Sequence, residues 1–275
     1  MLENRMHSTH TVLVTGASSG IGAALARDCA RRGFRVALVA RRIETLETLA
    51  ARLREAGSQA SAHAGDVTRD GDIARVVAEL ATQGVVPDIV IANAGFGVVG
   101  PAQKLSLDDY RRQFETNLFG VLRTFYDTLG VLKQTRGRFA VMGSIAGHLS
   151  GPGGSAYAMS KFAVRAFAEA LHGDLKGTGV GVTLISPGFV ESDIRRVDNQ
   201  GGLHSHVEDP VPPWLRMNAD KAARVMMNGI LRGRREVVVT FHGKVIVFFA
   251  RHFPRLVRYL LVRANRGARP EPQKK

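Results

Sequence analysis

A short β-branched run, Thr11 to Thr15, leads directly into Thr15-Gly16-Ala17-Ser18-Ser19-Gly20-Ile21-Gly22 and then into a segment with helical spacing, Ile21 to Arg32. This junction constrains the fold more than any other part of the chain. Glycines at 16, 20 and 22 permit a tight turn and let the backbone approach a pyrophosphate, whose charge is favoured at a helix N-terminus. A glycine pattern alone is weak evidence, but one placed after a strand and before a helix is the context that dinucleotide binding requires.

The same order then repeats. Arg35 to Ala40, Gln59 to His63, Asp88 to Ala92, Arg138 to Met142, Val180 to Ile185 and Glu236 to Thr240 read as strands. Ile43 to Ala56, Ile73 to Gln83, Tyr110 to Lys133 and Ala156 to Lys176 carry the spacing of helices. Such alternation implies parallel strands joined by right-handed crossovers. The expected fold is α/β: a doubly wound parallel sheet of Rossmann type with helices on both faces. It forms a single domain over residues 11–242, between a flexible N-terminus (1–10) and a basic extension (243–275). The alternation breaks at Glu191 to Met217, which holds three prolines and two adjacent glycines. A loop of that length inside a compact domain is usually functional. Asn218 then supplies an N-cap for a helix running to Leu231.

Charge is distributed unevenly. The formal net charge is +14, and residues 232–275 hold 12 Lys/Arg against 2 Asp/Glu, or +10, leaving +4 for the rest. A cationic tail suggests a polyanionic partner or a solvated surface. The arginines there alternate with Phe, Leu and Val, and no nucleic-acid motif accompanies them, so no nucleic acid is expected. Cys29, the lone cysteine, cannot make an internal disulfide and reads as a buried helical thiol. The polar stretch Met1 to Thr11 lacks the apolar core of a secretory signal, and no run of ~18 apolar residues occurs. A cytoplasmic protein without a metal is the expectation.

In dinucleotide-binding folds an acidic residue after the second strand bonds the ribose 2′-hydroxyl of NAD, whereas arginine accommodates the 2′-phosphate of NADP. Here that strand ends Val39-Ala40-Arg41-Arg42, without a carboxylate. The expected cofactor is NADP(H), with Arg41 and Arg42 on the phosphate.

Taken with Asp66-Val67, Asn93-Ala94-Gly95, Asn117, Ser144, Tyr157-x3-Lys161 and Pro187-Gly188, the glycine motif resembles the short-chain dehydrogenase/reductase family over nearly the whole chain to about residue 240. The order of these motifs and the 13-residue step from Ser144 to Tyr157 carry the resemblance. It implies cofactor contacts at Gly16, Ser18, Ser19, Gly20, Ile21, Gly22, Asp66, Val67, Asn93, Ala94, Gly95, Pro187, Gly188, Val190 and Ser192, as well as at Tyr157 and Lys161. Ser192 stands where members of the family often have threonine, and it retains the hydroxyl that would hold the nicotinamide amide. The resemblance further implies that Asn117 holds a water in a proton relay. It also implies that helices Tyr110 to Lys133 and Ala156 to Lys176 pair across subunits in a homodimer or homotetramer.

The chemistry is intelligible from the residues. Tyr157 and Lys161 lie four apart on a helix and share a face. A phenol of pKa ~10 must fall by about three units to act as a base at neutral pH. A cation ~4 Å away contributes at most ~4 kcal/mol at intermediate dielectric, so Lys161 is barely sufficient and the oxidised nicotinamide is expected to assist. Ser144, past the fifth strand, can polarise a substrate oxygen. The expected reaction is hydride transfer between nicotinamide and a ketone, aldehyde or alcohol, with Tyr157 donating the proton in reduction. The Ala156 to Asp174 segment is similar to that of members reducing lipid or steroid ketones. A catalytically idle dinucleotide sensor or scaffold is the alternative, and the intact Ser, Tyr and Lys set argues against it.

Beyond the resemblance lies Val245 to Arg263. Ile246, Phe249, Ala250, Phe253, Leu256, Val257, Leu260 and Leu261 are spaced as one helical face, opposite Arg251, Arg255 and Arg258. Pro254 must kink this helix or divide it in two. The pattern suits either a helix lying in a membrane interface or one packed on the protein's own pocket or a partner subunit.

Overall fold

The computed structural model of the chain describes residues 10–200, 202 and 208–266. The flexibility expected of residues 1–9 falls outside these, as do residues 267–275 of the basic extension. Strands β1 (Thr11–Thr15), β2 (Arg35–Ala40), β3 (Ala60–Ala64), β4 (Ile89–Ala92), β5 (Arg138–Met142), β6 (Gly181–Ser186) and β7 (Glu236–Val238) form one parallel sheet in the order β3-β2-β1-β4-β5-β6-β7. Sequence order reverses between β1 and β4, which places a ligand crevice at their carboxyl ends.

Successive strand residues face opposite layers, as the pleat requires. Val12, Val14, Val36 and Leu38 pack toward α1 (Gly20–Arg31), α2 (Ile43–Glu55) and α7 (Ala219–Leu231). Leu13, Ala37, Val39 and Phe139 pack on the other side, with α3 (Asp72–Thr82), α5 (Gly120–Thr135) and α6 (Ser155–Asp174). Cys29 is buried in the first layer, where burial pushes its thiol up to about 12. It is an inert core residue, as expected. Among the described residues no helix is long and apolar enough to cross a membrane, and no cluster of metal-binding side chains occurs.

Three boundaries differ from the sequence expectation. His10, assigned to the flexible terminus, bonds Asp88 through Nδ1 and meets Phe34 edge-on at 5.0 Å. The single helix expected from Tyr110 begins instead at Leu107, behind a capping box of Ser106 and Asp109. It runs as α4 (Leu107–Phe114), a π-helical turn (Glu115–Phe119) and α5. Hydrophobic spacing does not report one inserted residue in a continuous helix, and such π turns often mark functional sites. The C-terminal segment divides at Pro254, one of the two outcomes expected there, into α8 (Phe241–His252) and α9 (Pro254–Arg266), but α8 begins at Phe241 and not at Val245. Thr240, expected in the last strand, caps α8 by accepting the Gly243 N–H at 3.1 Å.

Candidate active site

The glycine turn is compressed as a phosphate cradle must be. Gly16 and Gly20 have φ of +66° and +52°, and a Cβ on Gly22 would lie 2.2 Å from the Gly16 carbonyl oxygen. Ser19 at the N-cap of α1 makes no side-chain cap bond, and no acidic residue occupies the first turn, where Ile21 lies. The positive end of that helix is therefore left uncompensated for an anion. Arg42 donates to Ser18 Oγ at 3.1 Å, while Arg41 is exposed beside it. Together these residues fit the phosphates of a dinucleotide. An open cleft of about 410 Å³ runs behind Ser18, lined also by Arg27, Thr48 and Arg52, but it includes none of the catalytic residues.

Several of the expected cofactor residues shape the cradle. Asn93 Nδ2 donates to the Thr15 and Gly16 carbonyls at 2.9 and 3.2 Å, while the Asn93 and Ala94 N–H groups reach Thr15 Oγ1. This sews the end of β4 to the glycine turn. Asp66 Oδ1 accepts from the Thr68 N–H and hydroxyl, forming the exit from β3. Val67 packs on Gly120, where a Cβ would come within 2.7 Å of it. After β6, the Pro187 carbonyl accepts from Ile145 N–H at 2.9 Å. A Cβ on Gly188 would fall 2.2 Å from Thr240 Oγ1. Val190 is buried, and Ser192 lies over Gly20, its Cβ 3.2 Å from where a Cβ on that glycine would sit.

Ser144 caps a short turn (Ile145–Gly147) after β5, and its hydroxyl lies close enough to Tyr157 on α6 to influence the phenol. Lys161 follows one turn later, buried, with Nζ donating to the Met142 carbonyl at 2.7 Å and lying 5.7 Å from the Tyr157 ring centre. Burial lowers the Lys161 ammonium to about 8. Burial also raises the Tyr157 phenol above its ordinary value, against the opposing effects of the Ser144 hydrogen bond and the charge of Arg195. The lowering of the phenol expected from Lys161 is thus not seen. The lysine is turned to a backbone carbonyl, and the nearby cation felt by Tyr157 is Arg195.

Asn117 sits in the π turn, fully buried. Its Oδ1 accepts the Phe96 N–H at 3.1 Å, and its Nδ2 donates to the Phe96 carbonyl at 2.9 Å and to Ser160 Oγ at 3.3 Å. Ser160 in turn donates to the Tyr157 carbonyl at 2.7 Å. The amide therefore fastens the segment after β4 to the catalytic helix, and Gly95 is needed because a Cβ would approach Asn117 Oδ1 to 3.0 Å.

Sequence reasoning did not identify Ser160, Gln113 or Arg195. Gln113, fully buried, accepts from Val98 N–H at 2.6 Å and donates to the Phe96 carbonyl at 2.9 Å. Arg195 forms a two-pronged pair with Asp209 at 2.7 and 2.6 Å, and Arg216 joins the same carboxylate at 3.2 Å. These contacts hold the Asp209 carboxyl well below the usual range despite its burial. No local motif marks such pairings, which span 14 residues in the Arg195–Asp209 case.

Comparison with known proteins agrees with this geometry. The family model for short chain dehydrogenases matches residues 10–201. An uncharacterized oxidoreductase of Myxococcus xanthus is 38% identical over 232 residues, covering 84% of this chain and 87% of that protein. The 11-beta-hydroxysteroid dehydrogenase 1A of Arabidopsis thaliana is 33% identical over 259 residues, covering 90% and 73%. Among solved structures, an alcohol dehydrogenase from Thermococcus sibiricus complexed with 5-hydroxy-NADP superposes with a TM-score of 0.72 at 28% identity, covering 84% of this chain and 96% of that one.

Proposed function

From the premise that this chain belongs to the short chain dehydrogenase family and is an oxidoreductase, we propose that it interconverts a ketone or aldehyde with an alcohol using NADP(H). The observation that carries the proposal is the placing of Ser144 beside Tyr157 at the carboxyl ends of the strands, with Lys161 buried one turn along α6. Bound in the cradle, the nicotinamide supplies or accepts the hydride.

The chain's own groups supply the remainder. Ser144 orients the substrate oxygen and the Tyr157 hydroxyl. Tyr157, its phenol held protonated by burial, is set to donate a proton to that oxygen, which favours reduction. Lys161 can return a proton to the site. Because its ammonium titrates near 8, the supply weakens as pH rises through that value. Asn117 and Ser160 hold the Tyr157 turn in place. The preference for NADP(H) rests on Arg42 against Ser18, Arg41 beside it, and the absent carboxylate at Ala40.

The proposed substrate is a lipid-like or steroid-like carbonyl. Its support is the likeness to the Arabidopsis protein and the apolar Ile194, which with Tyr157 lies within 4 Å of where a Cβ on Gly97 would be. We further propose a homodimer or homotetramer in the cytoplasm. Tyr126 on α5 and Phe162 on α6 stand exposed on the helices expected to pair, which supports the oligomer. The test is NADPH oxidation over a panel of ketones, with calorimetric titration of NADPH and NADH. No turnover of any carbonyl, or equal or tighter NADH binding, contradicts the corresponding part.

A further inference from the structure

The protein's exposed apolar surface is concentrated in one place. Of the large hydrophobic side chains exposed among the described residues, half lie between residues 241 and 260. Helix α8 turns Gly243 and Val247 inward, with Gly243 against Ile145 beside Ser144, and this leaves Phe241 and Phe248 facing outward. Phe248 stacks on His252 at 4.4 Å and meets Phe249 edge-on at 5.6 Å, and Phe249 continues to Phe253 at 5.7 Å. Helix α9 packs on α8 and remains exposed along most of its length. At 100° per residue, Leu256 and Leu260 occupy one side of α9 and Arg255 and Arg258 the other, while Arg263 falls one turn beyond the leucines on their side.

Isolated exposed apolar residues need no explanation, but a contiguous stripe does. We propose that α8 and α9 form a docking surface for an anionic lipid bilayer. They would lie at headgroup depth with Phe241, Phe248, Phe253, Leu256 and Leu260 at the acyl boundary and the arginines at the lipid phosphates.

Charge favours this occupant over a second copy. Between Glu236 and Glu271 the sequence has no acidic residue, and Glu236 is already paired with Arg251. A two-fold contact through α9 would set each arginine cluster near its own copy, whereas an anionic surface attracts every one of those charges. The 13 residues of α9 suit a helix that lies on a membrane, not one that crosses it. The surface also begins at the site, because His242 Nε2 accepts the Phe189 N–H at 3.0 Å directly after Gly188. Docking would therefore bring the edge of the catalytic cleft to the lipid. The inference does not depend on the reductase reading.

Flotation of the full-length protein with vesicles of phosphatidylcholine alone, or mixed with phosphatidylglycerol, provides the test. Binding is expected only to the mixed vesicles, and to weaken by about tenfold or more in high salt. A similar loss is expected in a Phe248→Ser/Leu256→Ser variant and in an Arg255→Glu/Arg258→Glu/Arg263→Glu variant, both melting like the wild type. Absence of binding at low salt overturns the proposal, as does wild-type binding by both variants. A dimer that Phe248→Ser/Leu256→Ser splits into monomers also overturns it, because the surface then belongs to a second copy.

Discussion

Helices α6 and α9 follow the same rule of apolar spacing and meet different fates. In α6 the sheet takes up Val164, Ala168 and Leu171, and the proposed catalytic pair Tyr157 and Lys161 sits at the end that reaches the crevice. In α9, among the described residues, no strand or core cluster covers Leu256 and Leu260. Periodicity therefore predicts that a helix has a face to cover, but not what covers it. The sheet topology decides that for α6, whereas for α9 nothing among the described residues does.

The largest expected contrast lies in stability. Val164→Asp buries an unpaired charge and should cost about 4 kcal/mol or more, a large share of the ~5–15 kcal/mol that holds a domain folded. Leu260→Asp should change stability by about 0.5 kcal/mol or less. Urea unfolding of both variants tests this, and equal losses would mean that α9 has a covered face.

A second contrast lies within α6. Lys161 is depressed to about 8 by burial, so between that value and its unfolded 10.5 the unfolded chain binds more protons and stability rises with pH. Below pH 8 the full penalty of burying the charge remains. Lys161→Met should therefore raise Tm by a few degrees at pH 7, with a shrinking advantage above pH 8, while losing activity. A lower Tm at pH 7 would show that the bond to Met142 outweighs the burial of the charge.

The arginines divide in the same way. Arg41→Asp should move the NADPH-to-NADH preference by about tenfold or more, since it removes a phosphate partner and adds a ribose acceptor. Arg258→Ala should leave the preference unchanged. Titration of both cofactors on each variant decides it.

The smallest effect concerns how α8 is held. Burial would raise the Glu236 carboxyl, but hydrogen bonds from His148 and Arg251 outweigh it and bring it to about 2. A depressed carboxylate contributes stability above its unfolded pKa of ~4.3, and loses it as pH falls toward the folded value. Hydrogen exchange in α8 should accordingly quicken between about pH 4.5 and 2, ahead of exchange in α6.

The sheet, its crossovers and the candidate catalytic groups were legible in the sequence because each rests on a local pattern. β-branched runs, three glycines at fixed offsets and a Tyr-x3-Lys step are all short-range. The π turn at Asn117 was not, because an extra residue in a helix leaves the spacing of its neighbours nearly unchanged. Neither was the direction of the Tyr157 shift, which is set by how deeply the folded chain buries the phenol, against the opposing charge of Arg195 from a loop 38 residues away in sequence. The Arg195–Asp209–Arg216 latch and the His148–Glu236–Arg251 chain are long-range pairings of common residue types, for which no spacing rule exists.

The central claim is that Tyr157 transfers the proton and does not hold the cofactor. The most direct measurement is calorimetric NADPH titration of Tyr157→Phe beside its steady-state reduction of an accepted ketone. The account predicts NADPH affinity within a few fold of wild type and turnover reduced by about 10²–10⁴-fold, the range that general acid catalysis contributes. Near-wild-type turnover, or a loss that appears wholly in NADPH binding, would contradict it.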